Sequence, residues 1–298
     1  MGSHRPGAAT YMIGSAFAFA LMTFFVKLAG QRLPSQEIVS ARAALTLVFT
    51  YAMLRRAGVP SLGHNRKLLL LRGLCGFCAL SCVYYAVTVL PLAEATVIQY
   101  LHPTFTALLA ARVLGERLHR GVVGSLVLGA LGVLVVARPA SLFGGGAALP
   151  TLGLLAALGG ALLTSCAYVV VRKLGQRENP LVIVLYFPLV ALPASIPTAA
   201  AVGPLWPTPG EWLLLLLVGI STQVGQLAVT HGLQRFEAGS AAIYSYTQVL
   251  FAVVLGAIFL DEVPSLFTLV GGSLIVLSAA LHRAPVPMRQ GAAATRAG

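Results

Sequence analysis

Ten apolar segments, each about 20 residues long and almost free of charge, take up most of this chain, at 8–28, 35–54, 68–90, 93–113, 120–138, 150–172, 180–200, 210–232, 238–260 and 264–282. A hydrocarbon core of about 30 Å is crossed by about 20 helical residues. Backbone polar groups in lipid must pair within the segment or in a closed barrel, so runs of this length and composition fold as helices. Charged residues are 9% of the chain and hydrophobic ones 58%, whereas a soluble domain carries roughly 25% charged residues. The expected fold class is all-α integral membrane, with ten transmembrane helices. The run 8–28, preceded by Arg5, is too long for the apolar core of a signal peptide, so it reads as a retained first helix. The net charge of +12 does not point to nucleic acid, because the basic residues lie between the apolar segments and form no block. Cys75, Cys78 and Cys82 share one face of an apolar helix and read as small filler rather than a metal site.

The stretch Ala93–Arg117 recurs without a gap at Gly239–Val263, with Tyr100 matched by Tyr246, Phe105 by Phe251, Leu109 by Leu255 and Glu116 by Glu262. A second echo, Gly30-Gln31-Arg32 against Gly175-Gln176-Arg177, extends the correspondence. The chain then divides into a first five-helix repeat at 1–142, a linker at 143–149 containing Gly144, Gly145 and Gly146, a second five-helix repeat at 150–283, and a disordered cytoplasmic tail at 284–298. Five is odd, so the second repeat enters the membrane upside down. Inverted repeats of this kind place a substrate site between the halves, near the bilayer midplane. With the N-terminus inside, 16 of the 20 basic residues fall on cytoplasmic loops or helix ends, which puts both termini in the cytoplasm.

Polar residues at helical spacing mark the faces expected to line that cavity. In the fourth segment Gln99, His102 and Thr106 share a face. Pro103 lies among them and deprives the carbonyl of Gln99 of its helical donor, which a wall of a wet cavity tolerates and a lipid face does not. Its counterpart in the second half is Val249, so the kink is expected on one side only. The third segment offers Ser81, Tyr84 and Thr88, the eighth Gln223, Gln226 and Thr230, the first Phe19, Thr23 and Lys27, the sixth Thr164 and Tyr168, and the ninth Tyr244, Ser245 and Gln248. The fifth and tenth segments have glycines, among them Gly132 and Gly271, in place of polar stripes and read as tightly packed backing helices. The expected substrate-binding residues are Thr23, Ser81, Tyr84, Gln99, His102, Thr106, Tyr168, Gln226, Tyr244, Ser245 and Gln248. Lys27, Arg42, Glu94 and Pro103 are expected to be structural or gating, with Arg42 paired to Glu37 or Glu94.

Several short motifs carry a family resemblance: FFVKLAG closing the first segment, SARAAL with Arg42 in the second, PLAEA with Glu94 opening the fourth, His102-Pro103 followed by LGERL, and FLDEV near the end of the second half. On these the chain resembles the ten-helix EamA-type exporters of the drug/metabolite transporter superfamily, and within it the YddG-like amino-acid exporters. The resemblance implies a bacterial inner-membrane location and a central cavity ringed by the first, third, fourth, sixth, eighth and ninth helices. Aromatic rings with neutral hydrogen-bonding groups suit an amino acid or related small metabolite. The near absence of charge on these faces weighs against sugar phosphates and nucleotide sugars, the runner-up class, unless Lys27 and Arg42 turn inward. An intramembrane enzyme would need an activated nucleophile or a metal cluster, and no paired carboxylate, Gly-x-Ser-x-Gly or His cluster is present. No cofactor or metal is expected, and a monomer is expected. Every acidic residue lies at or near a segment end, so no buried carboxylate offers itself as a proton carrier, and facilitated diffusion is the expected mode.

Overall fold

The computed structural model describes residues 8–115, 121–137, 149–203, 205–235 and 247–280. Among these residues all regular structure is helical: α1 (Ala8–Ala29), α2 (Ser35–Ala57), α3 (Arg66–Val89), α4 (Leu92–Gln99), α5 (His102–Leu114), α6 (Gly121–Ala137), α7 (Thr151–Leu174), α8 (Pro180–Val202), α9 (Pro209–Arg235), α10 (Thr247–Phe259) and α11 (Leu266–Ala280). Six of them, α1, α2, α3, α7, α8 and α9, are long and apolar enough to cross a membrane. The helices α6, α10 and α11 are shorter, and each borders on residues outside the description. The Gly-rich linker, apart from Leu149, and the C-terminal tail also lie outside it.

Helix ends follow local chemistry. Asn65 caps α3 by accepting from the Leu68 amide (3.2 Å), and Asn179 caps α8 by accepting from Leu181 (2.9 Å), with Pro180 pre-set in the first turn. Gly58 stops α2 in the left-handed conformation at φ 63°. The fourth segment breaks into α4 and α5 at Tyr100–Leu101. Pro103 supplies no amide to Gln99, and the chain tightens there: Tyr100 donates to both Thr96 and Val97 (3.1 Å each) and Leu101 to Ile98 (3.1 Å).

The helices pack mostly across the two halves of the chain. The closest associations are α1 with α9, α3 with α7, α6 with α11 and α2 with α8, followed by α3 with α8, α1 with α10, α5 with α7 and α2 with α9. The α6–α11 contact is made by glycines: a Cβ on Gly132 would lie 2.7 Å from the Gly271 carbonyl, and one on Gly271 would lie 2.5 Å from the Gly132 carbonyl. Within a bilayer lipid tails are as apolar as leucine, so such close backbone packing carries much of the association. The outer surface keeps its large apolar side chains exposed, among them Val48, Leu152, Leu155, Leu250 and Ile258, as suits a lipid-facing band.

Candidate functional site

The helices line a cavity between the two halves of the chain. Into it reach Phe19, Met22 and Thr23 of α1, Arg42 of α2, Arg72 and Gly76 of α3, Thr96 and Gln99 of α4, His102 of α5, Thr164 and Tyr168 of α7, Phe187 of α8, Gln226 of α9 and Gln248 of α10, with Tyr100 from the break in the fourth segment. Of the expected lining residues, Thr23, Gln99, His102, Tyr168, Gln226 and Gln248 meet here. Tyr244 and Ser245 lie outside the described residues. Ser81, Tyr84 and Thr106 are not among the lining residues. Ser81 faces Gln36 (3.5 Å), and Thr106 turns its hydroxyl back to the carbonyl of His102 (2.7 Å), the usual fate of a helical threonine. Tyr84 is fully buried behind the wall, where its hydroxyl accepts from Nη1 of Arg42 (3.1 Å).

The kink and its surroundings bring the polar groups together. Opening the helix at Tyr100 lets its hydroxyl donate to Oε1 of Gln248 (2.5 Å), which ties the fourth segment to α10. Gln99 donates from Nε2 to Thr164 of α7 (3.1 Å). The carbonyl of His102 accepts from Ser165 (2.8 Å), and its ring sits between those of Tyr100 and Tyr168, with centroids 5.1 and 5.2 Å away.

Two arginines change the chemistry expected of this space. Arg42 does not pair with Glu37 or Glu94. It donates to Tyr84, and its guanidinium lies over the Phe187 ring, 5.1 Å from the centroid. The carboxylate of Glu37 accepts instead from the Leu205 amide (3.0 Å), and that of Glu94 from the Thr268 hydroxyl of α11 (2.7 Å). Arg72, which charge counting assigns to the cytoplasmic end of the third segment, points inward, donates to Gln226 (3.0 Å) and lies over the same ring at 5.7 Å. Both arginines are buried. The expectation of a nearly uncharged cavity therefore fails. Arg42 and Arg72 lie about two turns into their helices, and the rotation of α2 and α3, which spacing alone does not fix, turns both toward Phe187. Phe187, too, lies on a segment without a polar stripe, so no sequence signal marked it.

Ionic and backbone contacts tie the elements together at the two ends of the bundle. At one end Lys27 does not enter the cavity. Its Nζ reaches Glu262 (3.2 Å) and the carbonyl of Leu90 (2.5 Å), while the other carboxylate oxygen of Glu262 accepts from the Leu92 amide (2.7 Å). Asp261 adopts a left-handed φ of 53° next to it and sets the turn that presents Glu262. On the same end Arg32 forks onto Glu211 and donates to the Trp206 carbonyl (2.9 Å). At the opposite end Glu178, buried between loops, accepts from the amides of His64 (2.7 Å) and Asn65 (2.6 Å), and Tyr186 donates to the Leu62 carbonyl (2.7 Å). Removing the Glu178 carboxylate takes a charged acceptor from two backbone amides of the loop before α3. Glu178→Ala should lower the stability of the purified protein by about 2–3 kcal/mol, read from its unfolding midpoint, with Glu178→Gln recovering part of the loss through its amide oxygen.

The pattern of the EamA-like transporter family matches the chain twice, over residues 7–138 and 151–283. The chain belongs to this family. It is a multi-pass membrane transporter of the drug/metabolite transporter superfamily and not an enzyme. Relatives include a pseudopaline exporter of Pseudomonas aeruginosa (strain UCBPP-PA14), 34% identical over 264 residues that cover 89% of this chain and 91% of the relative. Human solute carrier family 35 member G1 is 30% identical over 280 residues, covering 90% of this chain and 76% of the relative. A crystal structure 23% identical superposes with a TM-score of 0.66 over 90% of this chain and 95% of its own, a likeness of fold.

Proposed function

We propose that this transporter exports amino acids and related small metabolites bearing a carboxylate across the bacterial inner membrane, as a monomer, by alternating access. The observation that carries the reading is the pair of arginines in a cavity otherwise lined by apolar, aromatic and neutral polar groups. A guanidinium recognises a carboxylate through two parallel hydrogen bonds, and the rings of Phe19, Tyr168 and Phe187 suit an apolar side chain. The similarity to an exporter of P. aeruginosa supports the outward direction.

The reading takes the chain as ten helices in two inverted five-helix repeats, with α4 and α5 together forming the fourth. The doubled family match supports it. So does the packing. Exchanging the halves turns the α1–α9 contact into α3–α7, α1–α10 into α5–α7, and α2–α9 into α3–α8, and all of these contacts occur. Gly115 and Asp261, matched in the repeat, both take left-handed φ values, 69° and 53°. Both termini are then cytoplasmic, Lys27–Glu262 and Arg32–Glu211 close the outer end, and Glu178 ties the inner end. Thr23, Gln99, His102, Tyr168, Gln226 and Gln248 bind substrate alongside the arginines, while Lys27, Glu94 and Pro103 act in gating or support.

Transport is by facilitated diffusion, because no carboxylate lines the described cavity to load and unload a proton. In vesicles of purified protein, labelled carboxylate-bearing amino acids should equilibrate down their gradient. An imposed proton gradient, with equal substrate on both sides and the membrane potential held at zero, should drive no accumulation. Accumulation that disappears in His102→Gln would make that histidine a proton carrier and refute the uncoupled mode. The buried arginines also suit the runner-up class, phosphate esters, and their uptake in place of amino acids would favour an antiporter.

A further inference from the structure

Four enclosed polar atoms of the cavity-lining residues have no hydrogen-bond partner among the described residues: Nε of Arg42, Nε of Arg72, Oε1 of Gln99 and Nδ1 of His102. The two arginines are only 2% and 5% exposed. The hydrogen bonds they make go to neutral groups, a tyrosine hydroxyl and a glutamine amide oxygen. No aspartate or glutamate is among the described lining residues. The carboxylates of Glu94 and Glu262 are engaged with Thr268 and with Lys27 and Leu92. An arginine does not give up its proton, and a buried charge is retained only where something compensates it. Two positive charges thus face one cavity, and none of its described lining residues is anionic.

We infer that the substrate is an organic dianion with two carboxylates, one for each guanidinium, joined by an apolar span that packs on the Phe187 ring both arginines approach. The inference rests on the transporter reading above and narrows its substrate class. Arg42 uses Nη1 for Tyr84 and Arg72 uses Nη2 for Gln226, so each guanidinium keeps donors on its other terminal nitrogen for a carboxylate. A neutral zwitterion satisfies this arrangement poorly. Its carboxylate meets one arginine, but its ammonium enters a space that holds a second positive charge and no described acidic side chain.

The test is a binding panel on the purified full-length protein in detergent, read as the shift in unfolding midpoint. Succinate, glutarate and adipate are compared with propionate, leucine and glutamine, and with glycerol phosphate as a dianion on a single group. At least one dicarboxylate should bind more tightly than propionate or leucine by about tenfold or more, the scale of a hydrogen bond to a charged group. That preference should vanish in Arg72→Gln and Arg42→Gln. Arg42→Lys and Arg72→Lys, which keep the charge without the fork, should keep a weakened preference and serve where a glutamine variant does not fold. Leucine or glutamine binding as well as the best dicarboxylate, stabilisation by glycerol phosphate alone, or no response to any dicarboxylate would each overturn the inference. Flux separates this outcome from the reading beneath it. A dicarboxylate that binds but is not carried in vesicles sinks the transport proposal and leaves the anion site, whereas leucine carried without any dicarboxylate binding does the reverse.

Discussion

In Glu262→Ala the cavity should become accessible from the face that carries Lys27. Glu262 joins the turn after α10 to Lys27 of α1 and to the Leu92 amide at the start of α4, so one carboxylate holds three elements together. Lys27 also anchors the Leu90 carbonyl, and its ammonium loses its only ion partner among the described residues when Glu262 is removed. The pair is partly covered, with side chains 17% and 23% exposed. Each of its hydrogen bonds to a charged group therefore contributes near the lower end of about 1.5–3 kcal/mol. A loss of about 2 kcal/mol from the closed arrangement shifts its balance with an open one roughly thirtyfold. A cysteine placed at Ala95, a lining residue only 2% exposed, reports this directly once the four native cysteines are replaced by alanine. A membrane-impermeant thiol reagent should label it many times faster in the Glu262→Ala background. Lys27→Ala should act alike, and the double variant should fall short of the sum of the two single ones, because both remove the shared ion pair while each also loses a bond of its own. Unchanged labelling would show that closure rests on other contacts.

Gly271→Val should damage folding more than Glu178→Ala does. A Cβ at Gly271 meets the Gly132 carbonyl at 2.5 Å and Cγ2 of Val136 at 2.6 Å. The first obstacle is backbone, so no rotamer change relieves it, and α11 must move off α6. Overpacking of this kind costs about 1–3 kcal/mol for small additions, and two further methyl groups place valine at or above the upper end. Gly14→Ala is the control, because a Cβ there meets nothing within 4 Å. It should be neutral or raise stability by up to about 1 kcal/mol through helix propensity. The readout is the monodisperse fraction after extraction together with the unfolding midpoint. A Gly271→Val protein as stable as Gly14→Ala would mean that the α6–α11 contact is looser than its geometry indicates.

The sequence alone determined the membrane-embedded helical character of the chain. Runs of about 20 apolar residues leave the backbone no other way to pair its amides in lipid. It also determined the break near Pro103, because a missing amide is a covalent fact, and the close approach of the glycine-bearing fifth and tenth segments, because a missing Cβ is another. Polar spacing found Thr23, Gln99, His102, Tyr168, Gln226 and Gln248, because residues three or four apart share a helical face whatever that face meets. Spacing could not say which way a face turns. Tyr84 has the right periodicity, yet α3 is rotated so that Tyr84 lies behind the wall bonded to Arg42, while Arg72, near the helix start, points into the cavity. Lys27 and Arg72 look alike in sequence, each a basic residue near a segment end, where a long side chain can reach back to water. Only the tertiary structure sends one to Glu262 and the other to Phe187. The partners that decide are 235 and 115 residues away in the chain, and the rotation of a helix about its axis is set by the packing of its neighbours.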